Sequence, residues 1–249
     1  MKKIIIFLFL LVLMNIFGEE KKIVIAAASN LTYVLKELKS DFEKSNSNIE
    51  LEIIFGASGK FATQIKEGAP FDIFMSADMF FPSSLEKDGL SEDKAKIYAS
   101  GKLVIFTTKN IDIKDGLKIL KEKNIKSISI CNPETAPYGK ATVEALKNYG
   151  IFYEIEKKIV KTETVSQVIQ QVITSSDIGF TAMSLLFSQD MAKYKKDVNW
   201  IEIDPNLYKK VEQGIIILKN GKNKKISKLF YEYIFSKMAK EIFNKYGYE

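Results

Sequence analysis

The stretch Ile23-Val24-Ile25-Ala26-Ala27-Ala28-Ser29-Asn30 decides the fold of this chain. Its apolar, partly β-branched residues predict a buried strand that stops at a small polar pair. Apolar residues then recur at helical spacing, at Leu31, Val34, Leu35, Leu38 and Phe42. A strand, a tight turn and a helix make one half of a βαβ unit. Ser29 and Asn30 therefore fall at a helix start, where they either cap its free N–H groups or leave those groups to an anion.

The same order of strand, small-residue turn and helix recurs, so that two such turns lie in each half of the chain. The further turns are Gly56-Ala57-Ser58-Gly59, Ala136-Pro137-Tyr138-Gly139 and Thr164-Val165. Strands that alternate with helices and are apolar almost throughout are typical of an α/β fold with largely parallel sheets covered on both faces. Ligands of such folds bind at the carboxyl ends of the strands, which is where these turns fall.

Three other segments complete the secondary-structure prediction. We expect a helix over residues 113–123, an extended segment over 155–160, and one closing amphipathic helix over 226–246. The apolar stripe of the closing helix is expected at Leu229, Phe230, Tyr233, Ile234, Met238 and Ile242.

The first residues have the pattern of an export signal. Lys2 and Lys3 precede the apolar stretch 4–17, and Gly18 stands before Glu19. This is typical of a secretory signal peptide over residues 1–18. Cysteine is absent near the expected cleavage point, which argues against a lipoprotein, and we expect the mature protein in a bacterial periplasm.

The composition excludes several kinds of chemistry. The chain contains no histidine and no arginine, and its excess of positive charge, +6, comes entirely from lysine. Without histidine there is no Ser-His-Asp or Cys-His nucleophile and no imidazole metal ligand. Without arginine there is no bidentate fork for phosphate or guanine, so we expect no nucleic-acid partner. The lone Cys131 ends an apolar run and is expected to be a buried strand residue.

The four turns together suggest an anion site. If the two halves face each other across a cleft, four helix starts converge, and their N–H groups suit a small oxyanion without any cation. Gly56, Gly59 and Gly139 are expected to let the backbone approach the ligand. Ordinary helix capping is the alternative for each turn taken singly.

Several blocks together resemble the periplasmic molybdate-binding proteins of bacterial ABC importers, and the resemblance covers essentially the whole mature chain. They are Ala26-Ala27-Ala28-Ser29, Gly56-Ala57-Ser58-Gly59 followed by Gln64-Ile65, Gly68-Ala69-Pro70-Phe71-Asp72-Ile73-Phe74-Met75-Ser76-Ala77-Asp78, Asn132-Pro133-Glu134-Thr135-Ala136-Pro137-Tyr138-Gly139, and Tyr246-Gly247-Tyr248.

The resemblance implies a two-lobed type II solute-binding fold that closes like a hinge on molybdate or tungstate. The expected organisation is a signal peptide over 1–18, one lobe from 19–103 plus 205–249, and the other from 104–204. By position, the family's two serine donors fall on Ser29 and Ser58, and its backbone donors on Tyr138 and Val165. These residues would reach the metal only through the oxygens of the anion, with no cofactor.

The chain departs from the family at one position. Many members have a tyrosine donor where this chain has Ala182, which has no hydroxyl group. Asn30, beside Ser29, is expected to supply the missing hydrogen bond, so the predicted site is Ser29, Asn30, Ser58, Tyr138 and Val165.

The function that the resemblance implies is capture of molybdate or tungstate by a monomer that delivers it to a membrane ABC permease. Two main alternatives remain at this point, besides a structural or adhesive role, which would leave the four turns without a function. One is a receptor for sulfate or phosphate on the same fold. The other is a secreted hydrolase or transferase that uses Asp or Glu, which the missing histidine and the lack of a close carboxylate pair disfavour.

Overall fold

A computed structural model describes residues 21–221 and 223–249, and the predicted signal peptide lies outside these residues. Two five-stranded sheets divide the chain into two lobes, each with helices against its sheet. The α/β fold class predicted from the sequence is confirmed. Within the described ranges, no helix is long and apolar enough to cross a membrane.

The first lobe is built on strands in the order β2-β1-β3-β10-β4. β1 pairs in parallel with β2 and β3, whereas β10 is antiparallel to both β3 and β4. The strands are β1 (Lys21–Ala28), β2 (Ile49–Gly56), β3 (Ile73–Ser76), β4 (Lys96–Gly101) and β10 (Val211–Ile217). Strand β4 was not predicted from the sequence.

The second lobe repeats this plan with strands in the order β7-β6-β8-β5-β9. β6 pairs in parallel with β7 and β8, and β5 is antiparallel to β8 and β9. The strands are β5 (Leu103–Phe106), β6 (Ile128–Cys131), β7 (Ile159–Thr162), β8 (Ile178–Ala182) and β9 (Trp200–Glu202). The chain therefore crosses between lobes from β4 to β5 and returns from β9 to β10.

The α-helices are α1 (Val34–Ser45), α2 (Ser58–Lys66), α3 (Phe80–Lys87), α4 (Pro137–Asn148), α5 (Phe152–Ile155), α6 (Val165–Thr174), α7 (Lys224–Ile234) and α8 (Lys237–Lys245). Short 3₁₀ turns include Ser29–Leu31, Gly116–Lys121 and Met183–Phe187. Because helices cover both faces of β1 and β3, alternate residues such as Ala26 and Ala27 are equally buried. This explains the near-continuous apolar strands.

The structure corrects three local predictions. The segment 113–123 holds only the 3₁₀ turn Gly116–Lys121, and most of 155–160 is helical before β7 begins at Ile159. The closing helix is broken, because the Ser236 hydroxyl accepts a hydrogen bond from the Ala239 N–H and starts α8 anew. Two residues of the expected apolar stripe, Leu229 and Met238, are 42% and 50% exposed rather than buried.

Cys131 is confirmed as a buried residue at the end of β6. Burial raises the pKa of its thiol to about 12, which keeps the sulfur protonated and unreactive at neutral pH.

Candidate functional site

The four turns predicted from the sequence meet around one small cavity between the lobes. All five predicted site residues, Ser29, Asn30, Ser58, Tyr138 and Val165, line it. The other lining residues are Ala28, Gly56, Ala57, Ala77, Ala136, Pro137 and Thr164. The first lobe contributes the ends of β1, β2 and β3, and the second lobe contributes the starts of α4 and α6.

Three of these helix starts have no side-chain cap. The N-cap residues of the 3₁₀ turn Ser29–Leu31, of α2 and of α4 are Ala28, Ala57 and Ala136, and alanine has no side chain that accepts a hydrogen bond. Alanine is among the poorest N-cap residues, and a buried helix start without a partner is costly. Ordinary capping by side chains therefore does not explain these three turns, which border the cavity.

The fourth start is capped in part. At α6 the Thr164 hydroxyl accepts a hydrogen bond from the Gln167 N–H at 3.3 Å. This cap satisfies the third residue of the helix and leaves the N–H of Val165, the first residue, for another acceptor.

The hydroxyl of Ser58 is oriented by a neighbouring strand end. Its Oγ accepts a hydrogen bond from the Ala77 N–H at 3.1 Å, and the side chain is almost completely buried. Because that bond occupies a lone pair of Oγ, the hydroxyl hydrogen remains to be donated elsewhere. Ser58 therefore offers the cavity a donor.

The side chain of Asn30 is used within the protein. Its Nδ2 donates to Gln213 Oε1 and to the Tyr248 hydroxyl, each at 2.8 Å, which accounts for both amide hydrogens. The expectation that this amide replaces the family's tyrosine donor does not agree with these contacts. Asn30 still lines the cavity, and the donor left to it there is its backbone N–H.

Tyr138 presents its backbone rather than its ring. Pro137 opens α4 and has no N–H, so Tyr138 is the first residue of the helix that can donate. Its ring is buried near the crossing between lobes, where a Cβ on Gly101 would lie 2.0 Å from the phenol oxygen. Burial raises the pKa of Tyr138 well above its usual value, so the phenol stays neutral.

The lining described here contains no Lys, Asp or Glu. Two acids close to the turns in sequence serve elsewhere: Asp72 accepts hydrogen bonds from the N–H groups of Val24 and Asn223, and Glu134 is exposed. Partial charges of helix starts and neutral donors thus dominate the electrostatics of the cavity, which suits an anion without a proton to donate.

The lobes touch around the cavity. Gly59 N–H donates to the Thr135 carbonyl across the cleft at 2.8 Å, and Lys60 pairs with Glu163 at 2.7 Å. The Ser166 hydroxyl donates to the Ser29 carbonyl at 3.3 Å. This is a closed arrangement of the two lobes.

Gly56, Gly59 and Gly139 were expected to let the backbone approach a ligand, but two of them allow close packing within the protein instead. A Cβ on Gly59 would lie 2.9 Å from Thr135 Cα of the other lobe, and one on Gly139 would lie 2.1 Å from the Cys131 carbonyl oxygen. Both glycines permit close packing within the protein. Gly56 does line the cavity, although its own Cβ would meet Phe61 at 2.9 Å.

Sequence reasoning missed the supporting residues Ala77 and Gln213. Ala77 follows β3 at a strand end, as Ala57 follows β2, and that position was the available signal. Gln213 lies in β10, 183 residues from Asn30, and no local pattern connects the two.

Comparison with known proteins agrees with this architecture. The family model described as bacterial extracellular solute-binding protein matches residues 23–249. The molybdate-binding protein ModA of Azotobacter vinelandii is 33% identical over 93% of this chain and 91% of its own length. ModA of Rhodobacter capsulatus is 30% identical over 91% of this chain and 88% of its own length.

Solved structures give the same result. The periplasmic molybdate-binding protein of Azotobacter vinelandii superposes with a TM-score of 0.85 at 27% identity, covering 91% of this chain and 98% of that one. The substrate-binding domain of a putative molybdenum ABC transporter from Clostridium difficile superposes with a TM-score of 0.65 at 26% identity, covering 92% and 98%. The match along nearly the whole described chain, together with its two-lobed fold, means that this chain belongs to the bacterial extracellular solute-binding protein family.

Proposed function

We propose that this chain binds molybdate or tungstate in the periplasm and delivers it to a membrane ABC permease. The observation that carries the proposal is the set of alanine N-caps around a buried cavity without charged side chains. The relatives named for molybdate, at about the same length as this chain, support the choice of anion.

The donors assigned to the anion come from both lobes. Ser29 and Ser58 donate through their hydroxyl groups, and Asn30, Tyr138 and Val165 donate through their backbone N–H groups. Hydrogen bonds to a charged acceptor are worth roughly 1.5 to 3 kcal/mol each. Five such hydrogen bonds from neutral groups hold a dianion without a counter-ion, in the way that helix N-termini bind phosphate in other proteins.

The lining separates two classes of tetrahedral anion. Molybdate, tungstate and sulfate are fully ionised near neutral pH and only accept hydrogen bonds. Hydrogen phosphate keeps a proton and requires an acceptor such as a carboxylate. The described lining contains no carboxylate. We therefore place phosphate last. Sulfate has the same acceptors as molybdate, and rejection of sulfate depends on the size of the closed cavity.

The role involves binding and release without a chemical step. Closure about the two crossings between lobes encloses the anion, and the proposed hinge comprises residues 101–103 and 202–211, between the last strand of one lobe and the first strand of the other. The protein acts as a monomer after its signal peptide is removed, with no cofactor and no nucleic-acid partner.

The test is isothermal titration calorimetry on the mature protein, stripped of bound anion by unfolding and dialysis. Molybdate, tungstate, sulfate and phosphate are titrated in turn. One-to-one binding of molybdate and tungstate, with no heat from the other two, is the expected result. Binding of sulfate or phosphate alone would keep the fold and refute the proposed anion. No binding heat from any of the four anions, together with hydrolysis of ester substrates, would favour the enzyme alternative.

A further inference from the structure

A buried hydrogen-bond network lies directly behind the Ser29–Leu31 turn. Tyr248 is its centre: its hydroxyl accepts from Asn30 Nδ2 at 2.8 Å and lies 3.0 Å from the Asn30 carbonyl oxygen and 3.1 Å from Ser184 Oγ. The Ser184 hydroxyl in turn donates to the Asn30 carbonyl at 2.9 Å. Asn30, Ser184 and Tyr248 are all buried.

The protons of this network fit two arrangements, which differ only in the acceptor of the Tyr248 hydroxyl. The phenol of Tyr248 has a single hydrogen, which goes either to the Asn30 carbonyl or to Ser184 Oγ, and in both cases Ser184 gives its own hydrogen to the Asn30 carbonyl. Asn30 is thus held at two points, its amide and its carbonyl. Ser184 follows β8 in the second lobe, so the ring of hydrogen bonds closes only when that lobe lies against the Ser29–Leu31 turn.

A second branch connects the two serine turns. The other amide hydrogen of Asn30 goes to Gln213 Oε1, and Gln213 Nε2 donates to the Ala77 carbonyl at 3.3 Å. The N–H of Ala77 donates to Ser58 Oγ. The position of Tyr248 is therefore linked, through Asn30 and Gln213, to both predicted serine donors.

Tyr248 is itself fixed firmly. The backbone groups of Glu249 pair with those of Ser100, at 2.7 and 3.0 Å, beside the crossing from β4 to β5. The ring packs edge to face on Phe243 with a centroid separation of 5.5 Å. Gly247, at φ +75°, lies so close to the second lobe that a Cβ there would be 2.4 Å from Met183 Cε.

We propose that Tyr248 is a positioning residue for anion binding, which orients the Ser29-Asn30 turn and ties it to Ser184 when the lobes close. The inference rests on the proposed anion site. Tyr248 does not line the cavity, and it acts through Asn30.

The test compares Tyr248→Phe with Tyr246→Phe in the mature protein. Both variants lose one phenol hydroxyl from the same segment, but Tyr246 bonds Glu37 at the surface of α1, away from the cavity. Calorimetry with molybdate, stopped-flow dissociation and thermal unfolding are measured for each. We expect Tyr248→Phe to raise Kd about five- to tenfold, mainly through faster dissociation, and Tyr246→Phe to leave Kd within twofold of the wild type.

Ser184→Ala provides an independent variant that removes a single small hydroxyl. It should raise Kd by a similar factor, and the double variant Tyr248→Phe/Ser184→Ala should be less impaired than the product of the two effects, since both belong to one ring of bonds. Unchanged molybdate affinity in both single variants, with the wild type binding, would overturn the positioning role alone. A wild type that does not bind molybdate would overturn the proposed function as well.

Discussion

The N–H of Ala77, at the end of β3, donates a hydrogen bond to Ser58 Oγ at 3.1 Å, at the start of α2. Ser58 is the first residue of α2, one position after the N-cap, and because this bond occupies a lone pair of Oγ its hydroxyl hydrogen is left to donate. The contact with β3 thus makes the Ser58 hydroxyl available as a donor.

Replacing Ser58 with alanine tests that donor. We expect Ser58→Ala to weaken molybdate binding by about 1.5 to 3 kcal/mol, because one charge-assisted hydrogen bond is lost and the Ala77 N–H loses its acceptor. Calorimetry measures the change, and Ser83→Ala, at an exposed position of α3, is the control. Equal affinities of the two variants would remove Ser58 from the site.

Gly59 controls how closely the lobes approach. In Gly59→Ala the new Cβ would lie 2.9 Å from Thr135 Cα, a backbone atom of the opposite lobe that has little freedom to move. We expect molybdate affinity to fall by about 1 to 3 kcal/mol, the usual cost of overpacking, with faster dissociation. Small-angle scattering with saturating molybdate should show a larger radius of gyration than for the wild type. A variant that closes to the wild-type radius would contradict this role.

Molybdate affinity should not depend on pH between about 6.5 and 9. The described lining has no acidic or basic side chain, and the buried phenol of Tyr138 has its pKa raised well above the usual range, so it stays neutral throughout. Calorimetry in buffers of matched ionic strength checks this. A tenfold change in Kd across that interval would reveal a titrating group at the site.

Because of Asp177, the free energy of unfolding of the second lobe should fall as the pH is lowered in the acid range. Burial raises the pKa of its carboxyl, but Lys109 and the N–H groups of Lys126 and Ser127 outweigh burial and hold the pKa at about 2. A lowered pKa in the folded state contributes stability that is complete above the unfolded value, about 3.9, and disappears as the pH falls toward 2.

Asp177→Asn should therefore unfold at lower urea concentration than the wild type at pH 7, and the difference should shrink between pH 4 and pH 2. Urea titrations followed by circular dichroism at each pH give the comparison. Asp190→Asn, at an exposed position, serves as control. A difference that stays constant down to pH 2 would show that the carboxylate charge contributes nothing.

The four turns that line the cavity could be located from the sequence because each lies at a strand–turn–helix boundary. Such boundaries depend on local patterns, namely apolar runs that stop at small residues. The choice of Ser29, Asn30, Ser58, Tyr138 and Val165 within them came from the family resemblance and stays a prediction. The break between α7 and α8 was missed because the cap at Ser236 interrupts an apolar stripe that otherwise continues across it.

The supporting contacts could not be predicted in the same way. Asn30 resembled a free donor in sequence, and only the packing of β10 and of the segment after α8 shows that its amide is occupied. Gly59 and Gly139 resembled ligand-approach glycines for the same reason: their neighbours, Thr135 and Cys131, are distant along the chain and close in space.

The alanine N-caps lower the stability of the free protein and leave the helix starts available for anion binding. An acidic residue at position 136 would cap α4 and stabilise the free protein by about 1 kcal/mol. It would also consume the N–H groups that border the cavity and place a negative charge where a dianion must sit. A substitution that stabilises the helix start thus places a carboxylate in the position of the bound anion. Thermostabilising designs should therefore leave Ala28, Ala57 and Ala136 unchanged.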